Sequence, residues 1–533
     1  MSLTTMAPAA ENLSEPPARR RPPWTSVVET LLIVAGLARL VWGQQVAVVA
    51  DGQDRLASLS LLLGEGRLNN SEYSIVGPLF SAPLWLLGRA VATPEAGIRY
   101  FNLVVFTAGL AALGLLLRGL VPGALIRRFM LITIAASMLA PDVGHYGSET
   151  FTMMGVMVGI VVVVRGRRRG WGWAAAVLGA VNTPATVAGL GLVSLAETWR
   201  HRRLRLLVPV AVAAALVLVE ILARKGGYAG DRGARDVMPF SGRPGFSYPV
   251  FFGVLAILFS FGRGLVWYLP GMFLPTRRAL ADLGPTGIDL ARIQRLWLIF
   301  VGGLVLVYAP WWAWYAGMSW GPRFFLAGIL PAALALALRL GHRQAGLGAN
   351  LVTLAVLVLS VWIGLNSLFW HELWPAACFG TPQSVEALCW HSPEYSSLWY
   401  PLVSWQFAHL TGGQWISAAY SAVVLGWLGT PWCAGSAASS PPPGATTSTR
   451  VWPVPPGAGS PRLVWRGAVP HHDHSTCQAL GRMALQDTHG CQASRTIMGA
   501  GPRQAVGTFQ SQTSATRWGG PRRSVITDFR AGW

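Results

Sequence analysis

Charged side chains are scarce in this sequence, and lysine is nearly missing. Asp, Glu, Lys and Arg make up 12% of the 533 residues, where a soluble globular chain carries about 25%. Lys225 is the single lysine. So little charge cannot clothe a water-facing exterior, which excludes a soluble globular domain for most of the chain. Nucleotide-gripping motifs are absent as well. There is no Walker loop and no dinucleotide glycine pattern in a strand-turn-helix setting, so no soluble nucleotide-binding domain is expected.

What is abundant is apolar. Hydrophobic residues fill 52% of the positions and the mean hydropathy is +0.43, which marks a polytopic membrane protein. The formal net charge of +20 would ordinarily raise nucleic-acid binding. Here the basic residues are arginines gathered in short clusters between apolar stretches, which reads as cytoplasmic loop charge and offers no nucleic-acid surface.

Residues 1–23 are polar, Pro-rich and carry Arg19-Arg20-Arg21, the pattern of a disordered cytoplasmic N-terminus. The first apolar span, Thr25 to Gly43, is long enough to cross the hydrocarbon and lacks a small-residue cleavage site, so a retained signal anchor is expected. Further apolar segments fall near 98–117, 129–141, 150–164, 171–198, 204–222, 249–275, 294–315, 322–338, 347–370 and 413–432. Arginine clusters at 118–128, 165–169, 200–205, 277–278 and 339–343 assign the connecting loops to the cytoplasmic side. The 171–198 stretch, interrupted by Asn182-Thr183-Pro184, fits two short helices that go out and return. The 75–92 stretch, with Pro78, Pro83 and Arg89, reads as a juxtamembrane helix or a re-entrant pair. The expected fold is an all-α transmembrane bundle of about 12 spans over residues 24–433.

Once the arginines are placed inside, the polar segments left outside are 44–74, 142–149, 223–248, 316–321 and 371–412. They hold most of the acidic, aromatic and His residues between the termini, so an extracytoplasmic active face is expected. The first of them opens with Asp51-Gly-Gln-Asp54-Arg55, then Leu56, Leu59, Leu61, Leu62 and Leu63, then Gly64-Glu65-Gly66. This spacing predicts a short amphipathic helix in the interface, ended by glycine, with both carboxylates at its dipole-favoured start. Taken alone, an Asp there is more often a helix cap than a catalyst.

The run from Asp51 to Arg67, then Tyr73 and Gly77-Pro78-Leu79-Phe80-Ser81-Ala82-Pro83-Leu84-Trp85, resembles the first outer loop of the GT-C integral-membrane glycosyltransferases. That superfamily includes the protein mannosyltransferases and aminoarabinose transferases that use polyprenyl-phosphate sugars. Phe261-Gly262-Arg263-Gly264-Leu265-Val266-Trp267-Tyr268 and Ser319-Trp320-Gly321-Pro322-Arg323-Phe324 are similar to stretches of its bacterial members. The resemblance covers residues 25–370 in the order of elements and rests on short motifs. It implies a metal-independent, inverting sugar transfer from a polyprenyl-phosphate donor to a lipid, glycan or protein acceptor, without a cofactor. Asp51 matches the family's leading acidic position and would be the general base, its pKa raised by desolvation. The family often has two adjacent acids, whereas this chain has Gly52 after Asp51 and its second carboxylate at Asp54, which leaves open which Asp does the work and makes Asp54 a supporting catalytic carboxylate.

In the second outer loop, Gly144-His145-Tyr146-Gly147-Ser148-Glu149 puts an acid where the family commonly carries one. Glu149 is a supporting carboxylate or a dipole partner at the start of a span, and His145 a substrate-binding candidate. Arg263, between two glycines in an apolar stretch, and Arg323, after Gly-Pro at a span's start, both need a partner near the membrane. A donor phosphate satisfies a guanidinium bidentately, and backbone carbonyls or Asp51 satisfy it structurally. Arg55 is the third arginine candidate. Lacking a nucleotide-binding domain, such a transferase takes its donor from the membrane. A multi-pass transporter or lipid flippase is the alternative, though internal repeats and paired mid-membrane polar residues are not evident.

Cys378 and Cys389, eleven residues apart on the outer side, are expected to form a disulfide. From Ala434 to Trp533 the chain becomes Pro-, Gly-, Ser- and Thr-rich without apolar periodicity, a disordered tail. Its cluster His471-His472-Asp473-His474 with Cys477, His489 and Cys491 matches no zinc spacing.

Overall fold

A computed structural model describes residues 23–438, apart from 44–45, 72, 225–244, 318, 342–345, 371–372, 374, 379–385 and 407–409. The leading polar segment, most of the 223–248 loop, and the tail with its His471 cluster lie outside the described residues. Among the described residues every regular element is helical, with two isolated bridges, Ala47 with His145 and Arg118 with Val121. The all-α expectation holds.

Among the described residues six helices are long and apolar enough to cross a membrane: Trp24–Trp42, Pro94–Leu117, Leu204–Ala223, Leu290–Tyr308, Arg323–Gly341 and Leu347–Phe369. Other segments expected to cross form shorter helices, among them Gly123–Ala135, Glu149–Arg165, Arg169–Asn182 and Val187–His201. The break at Asn182-Thr183-Pro184 does divide 171–198 into two helices joined by a 3-10 turn, Pro184–Thr186. The 75–92 stretch is one helix, Val76–Val91, which accommodates Pro83. The last described helix, Gly412–Ala438, runs past the expected boundary at 433.

The 249–275 segment departs from the expected continuous span. Its helix Val250–Phe259 stops, and a four-residue helix Leu265–Tyr268 and a 3-10 turn Pro270–Phe273 follow. Two long-range interactions hold the break open. The Gly262 N–H donates to Trp390 O at 2.9 Å, and the Arg263 side chain is drawn to the carbonyls of Gly317 and Gly321 at 2.7 and 2.6 Å. Cys378 and Cys389 form the expected disulfide, which closes the loop that docks there.

Close helix packing follows the membrane pattern of small residues at contacts. Glu149–Arg165 and Arg169–Asn182 approach so nearly that a Cβ on Gly155 would lie 3.0 Å from Gly179 Cα. The helices run between two chemically distinct ends. At one end Arg127 Nε lies 2.7 Å and Arg128 Nε 3.7 Å from Glu29, and Arg292 Nε donates to Glu197 at 3.0 Å. Arg165, Arg200 and Arg339 stand in the last turns of helices that finish at this end. At the other end of the same helices lie Asn102, Glu149, Asn182 and Arg323. The arginine clusters and the candidate site residues therefore occupy opposite ends of the bundle.

Candidate active site

The first helix leaves the bundle into an extended stretch whose Ala47 N–H donates to Gly144 O at 3.1 Å, tying the first polar loop to the second. Ala50 then takes φ +45° and ψ −121°, a backbone region unfavourable to a residue with a side chain. Asp51–Glu65 follows as the expected helix and stops at Gly66 in left-handed conformation. Gly52 presses on the second loop, because a Cβ there would lie 3.0 Å from Tyr146 O. This contact accounts for glycine at position 52: the space belongs to Tyr146.

Two buried amides hold the second loop. Asn102 Nδ2 lies 2.9, 2.6 and 3.2 Å from the carbonyl oxygens of Asp142, His145 and Gly147. Asn182 donates to Ser148 O at 2.9 Å and accepts from Gly77 N–H at 2.8 Å. On the far side Glu220 accepts from Ser74 Oγ and from Ile75 N–H, both at 2.7 Å, while Arg224 donates to Tyr73 O at 2.9 Å. Hydrogen bonds of this kind leave neither loop free to drift.

These supports enclose a cavity of about 400 Å³ lined by Ala50, Asp51, Gly52, Asp142, His145, Tyr146, Glu149, Trp320 and Arg323, among others. Arg323 is its hub. Nη1 donates to Asp51 Oδ2 at 2.8 Å, and Nε, which makes no hydrogen bond, lies 3.8 Å from Glu149 Oε1. The Asp51 and Arg323 side chains are each about a quarter exposed and Glu149 is 12% exposed. The Trp320 indole N–H is buried and unpaired, a donor facing no acceptor of the protein. Both unpaired donors suit an oxygen-rich ligand.

The carboxylates titrate differently from expectation. Burial pushes the Asp51 carboxyl up, but the Arg323 and Arg55 charges and the hydrogen bonds from Tyr73 and Arg323 together outweigh it, leaving Asp51 below the ordinary range. The expected desolvation-raised base at Asp51 is thus corrected. Asp51 is not a cap either: Ala50 holds the cap position without a side-chain bond. The raised carboxyl is Asp142, pushed well above its ordinary value by burial and then by Glu149, with only partial relief from Arg323. Burial also lifts the Tyr146 hydroxyl to about 12. The cavity therefore sets a carboxyl whose pKa is depressed, Asp51, beside one whose pKa is raised, Asp142. Opposed shifts at neighbouring carboxyls are the pattern by which acid and base roles are divided in enzymes.

Of the sequence candidates, the fold brings together Asp51, His145, Glu149 and Arg323. Asp54 is exposed and does not line the cavity, because its place on the helix turns it outward. Arg55 lies buried behind the wall, its guanidinium 4.3 Å from the Tyr73 ring centre, and acts on Asp51 and Glu149 through charge alone. Arg263 is also not in the wall. Its guanidinium is taken up by Gly317 O and Gly321 O and sits 4.3 Å over the Trp390 ring, so it shapes the turn before Arg323. Asp142, Tyr73 and the clamps Asn102 and Asn182 were not singled out as site residues. Asp142 carried one usable signal, an acid at the edge of a short polar segment.

Among the described residues no group of three or more His, Cys, Asp or Glu side chains is arranged to hold a metal ion. Comparison with models of known protein families, with curated protein sequences and with solved structures finds no match to this chain.

Proposed function

We propose that this cavity transfers a sugar from a polyprenyl-phosphate donor to an extracytoplasmic acceptor, in the manner of the GT-C glycosyltransferases. The observation that carries the reading is the gathering of Asp51, Asp142, Glu149 and Arg323 around one cavity, at the end of the bundle remote from the arginine clusters. By the positive-inside tendency the arginine end faces the cytoplasm and the cavity faces out.

In the proposed reaction the donor phosphate takes the guanidinium fork of Arg323. Asp51 then loses the charge that holds its pKa down, and its burial makes it a better base only once donor is bound. Asp51 accepts the proton of an acceptor hydroxyl as that oxygen bonds to the anomeric carbon. The bond from that carbon to the phosphate oxygen breaks, and polyprenyl phosphate leaves with the electron pair. Asp142 in its neutral form donates a hydrogen bond to a sugar or phosphate oxygen, and Glu149 keeps Arg323 oriented. A transporter would place such groups at mid-height between related halves, whereas here they share one end.

The test is transfer from a panel of radiolabelled polyprenyl-phosphate sugars in membranes. Asp51→Asn is expected to lose about 10²- to 10⁴-fold, while Asp54→Asn stays near wild type. Equal transfer by wild type and Asp51→Asn removes Asp51 from the mechanism.

A further inference from the structure

Several arginines at the far end of the bundle have side-chain partners. Arg127 and Arg128 face Glu29, Arg292 binds Glu197, Arg200 lies 3.8 Å from Asp289, and Arg339 reaches Thr353. The tight turn between Glu149–Arg165 and Arg169–Asn182 is different. It concentrates Arg165, Arg167 and Arg168 within four residues, and none of the three guanidinium groups has an ion pair or hydrogen-bond partner among the described residues. Arg168 stands at φ +57°, so the turn is held in a bent form that keeps the three side chains together.

These arginines border a concavity of about 560 Å³, whose remaining walls are Leu116, Val162 and Trp171. Trp171 is 74% exposed. The walls thus grade from cationic at the loop to apolar on the helix flanks, with an indole at the border. At a membrane surface an indole sits at the headgroup level, and unpaired arginines there attract anionic lipid.

We infer that this concavity binds the phosphate headgroup of an anionic phospholipid in the leaflet at the arginine end. Arg165, Arg167 and Arg168 hold the phosphate. Leu116 and Val162 meet the first methylenes, and Trp171 lies against the glycerol region. A carboxylate partner in the wall would cancel this charge, and there is none among the described lining residues. The inference needs only a membrane location and is independent of the proposed transfer.

The test uses full-length protein in nanodiscs of phosphatidylcholine doped with phosphatidylglycerol brominated near the headgroup. The fluorescence difference between wild type and Trp171→Phe isolates quenching at Trp171. Half-quenching is expected at a far lower fraction of brominated phosphatidylglycerol than of brominated phosphatidylcholine. Each arginine removed should weaken the preference about fivefold, so Arg165→Gln with Arg168→Gln should lose about twenty-fivefold. Equal quenching by the two lipids in wild type overturns the inference without any arginine variant. An unchanged preference in a folded double variant also overturns it. So does relief of quenching by millimolar inorganic phosphate, which would make the free anion the ligand.

Discussion

Replacing Arg323 by Gln isolates the electrostatics on which the proposed site depends. In the native cavity Arg323 is 2.8 Å from Asp51 and 3.8 Å from Glu149. Removing one partner of a fully buried pair costs about 3–5 kcal/mol, and exposed pairs contribute about 0–1. With both side chains of the pair about one-quarter exposed, the expected loss for Arg323→Gln is about 2–3 kcal/mol. The pH dependence gives the sharper check. In wild type the Asp51 pKa is depressed, so its contribution is present above the unfolded value of about 3.9 and lost as pH falls through the folded value. Without Arg323 the Tyr73 hydrogen bond and the Arg55 charge remain, and burial, the largest single influence, is expected to carry the Asp51 pKa above its unfolded value. The carboxyl then destabilises increasingly as pH climbs from about 4. Adding Asp51→Asn to Arg323→Gln should therefore restore about 1–2 kcal/mol near pH 8 and little near pH 4.5. Thermal unfolding of the four variants in detergent, at several pH values, measures this cycle. A second substitution that lowers stability further at pH 8, or a restoration larger at acid pH, refutes the reasoning.

Gly52→Ala forces a Cβ to within 3.0 Å of Tyr146 O and should cost about 1–3 kcal/mol, read as a lowered melting temperature; an unchanged value would show that the second loop yields freely. Asn102→Leu strips the donor from three carbonyls and should lose about 2–4 kcal/mol, with protease sensitivity rising between residues 141 and 149. Replacing Cys378 and Cys389 by Ser opens the 378–389 loop and should cost about 2–4 kcal/mol. A reductant should lower the melting temperature of wild type and leave that variant unchanged.

Much of the architecture is legible because apolar runs and arginine clusters act locally. A span of apolar residues has to be helical in lipid wherever it lies. The cluster rule then separates the polar segments that hold Asp51, His145 and Glu149, and the start of the span that carries Arg323, from the basic loops. The glycine stop after Asp51–Glu65, the break at Asn182-Thr183-Pro184 and the Cys378–Cys389 pair were readable for the same reason. The segment 249–275 misled because its composition is apolar throughout, while its break is imposed by Trp390 and by the carbonyls of residues 317 and 321, distant in sequence.

The one-dimensional chain, by its hydropathy and its arginines, determined an all-helical body with apolar helices fit to cross a membrane, of which the structure gives six among the described residues, and a short roster of candidate charges. Tertiary structure decided which of those charges meet. It sent Asp54 outward, turned Arg263 to backbone carbonyls, brought in Asp142, and reversed the expected shift at Asp51 by setting Arg323 against it. The reason is physical: helix formation depends on neighbours along the chain, whereas a carboxyl's pKa and its access to a cavity depend on groups brought close by folding, here from residues 272 positions away.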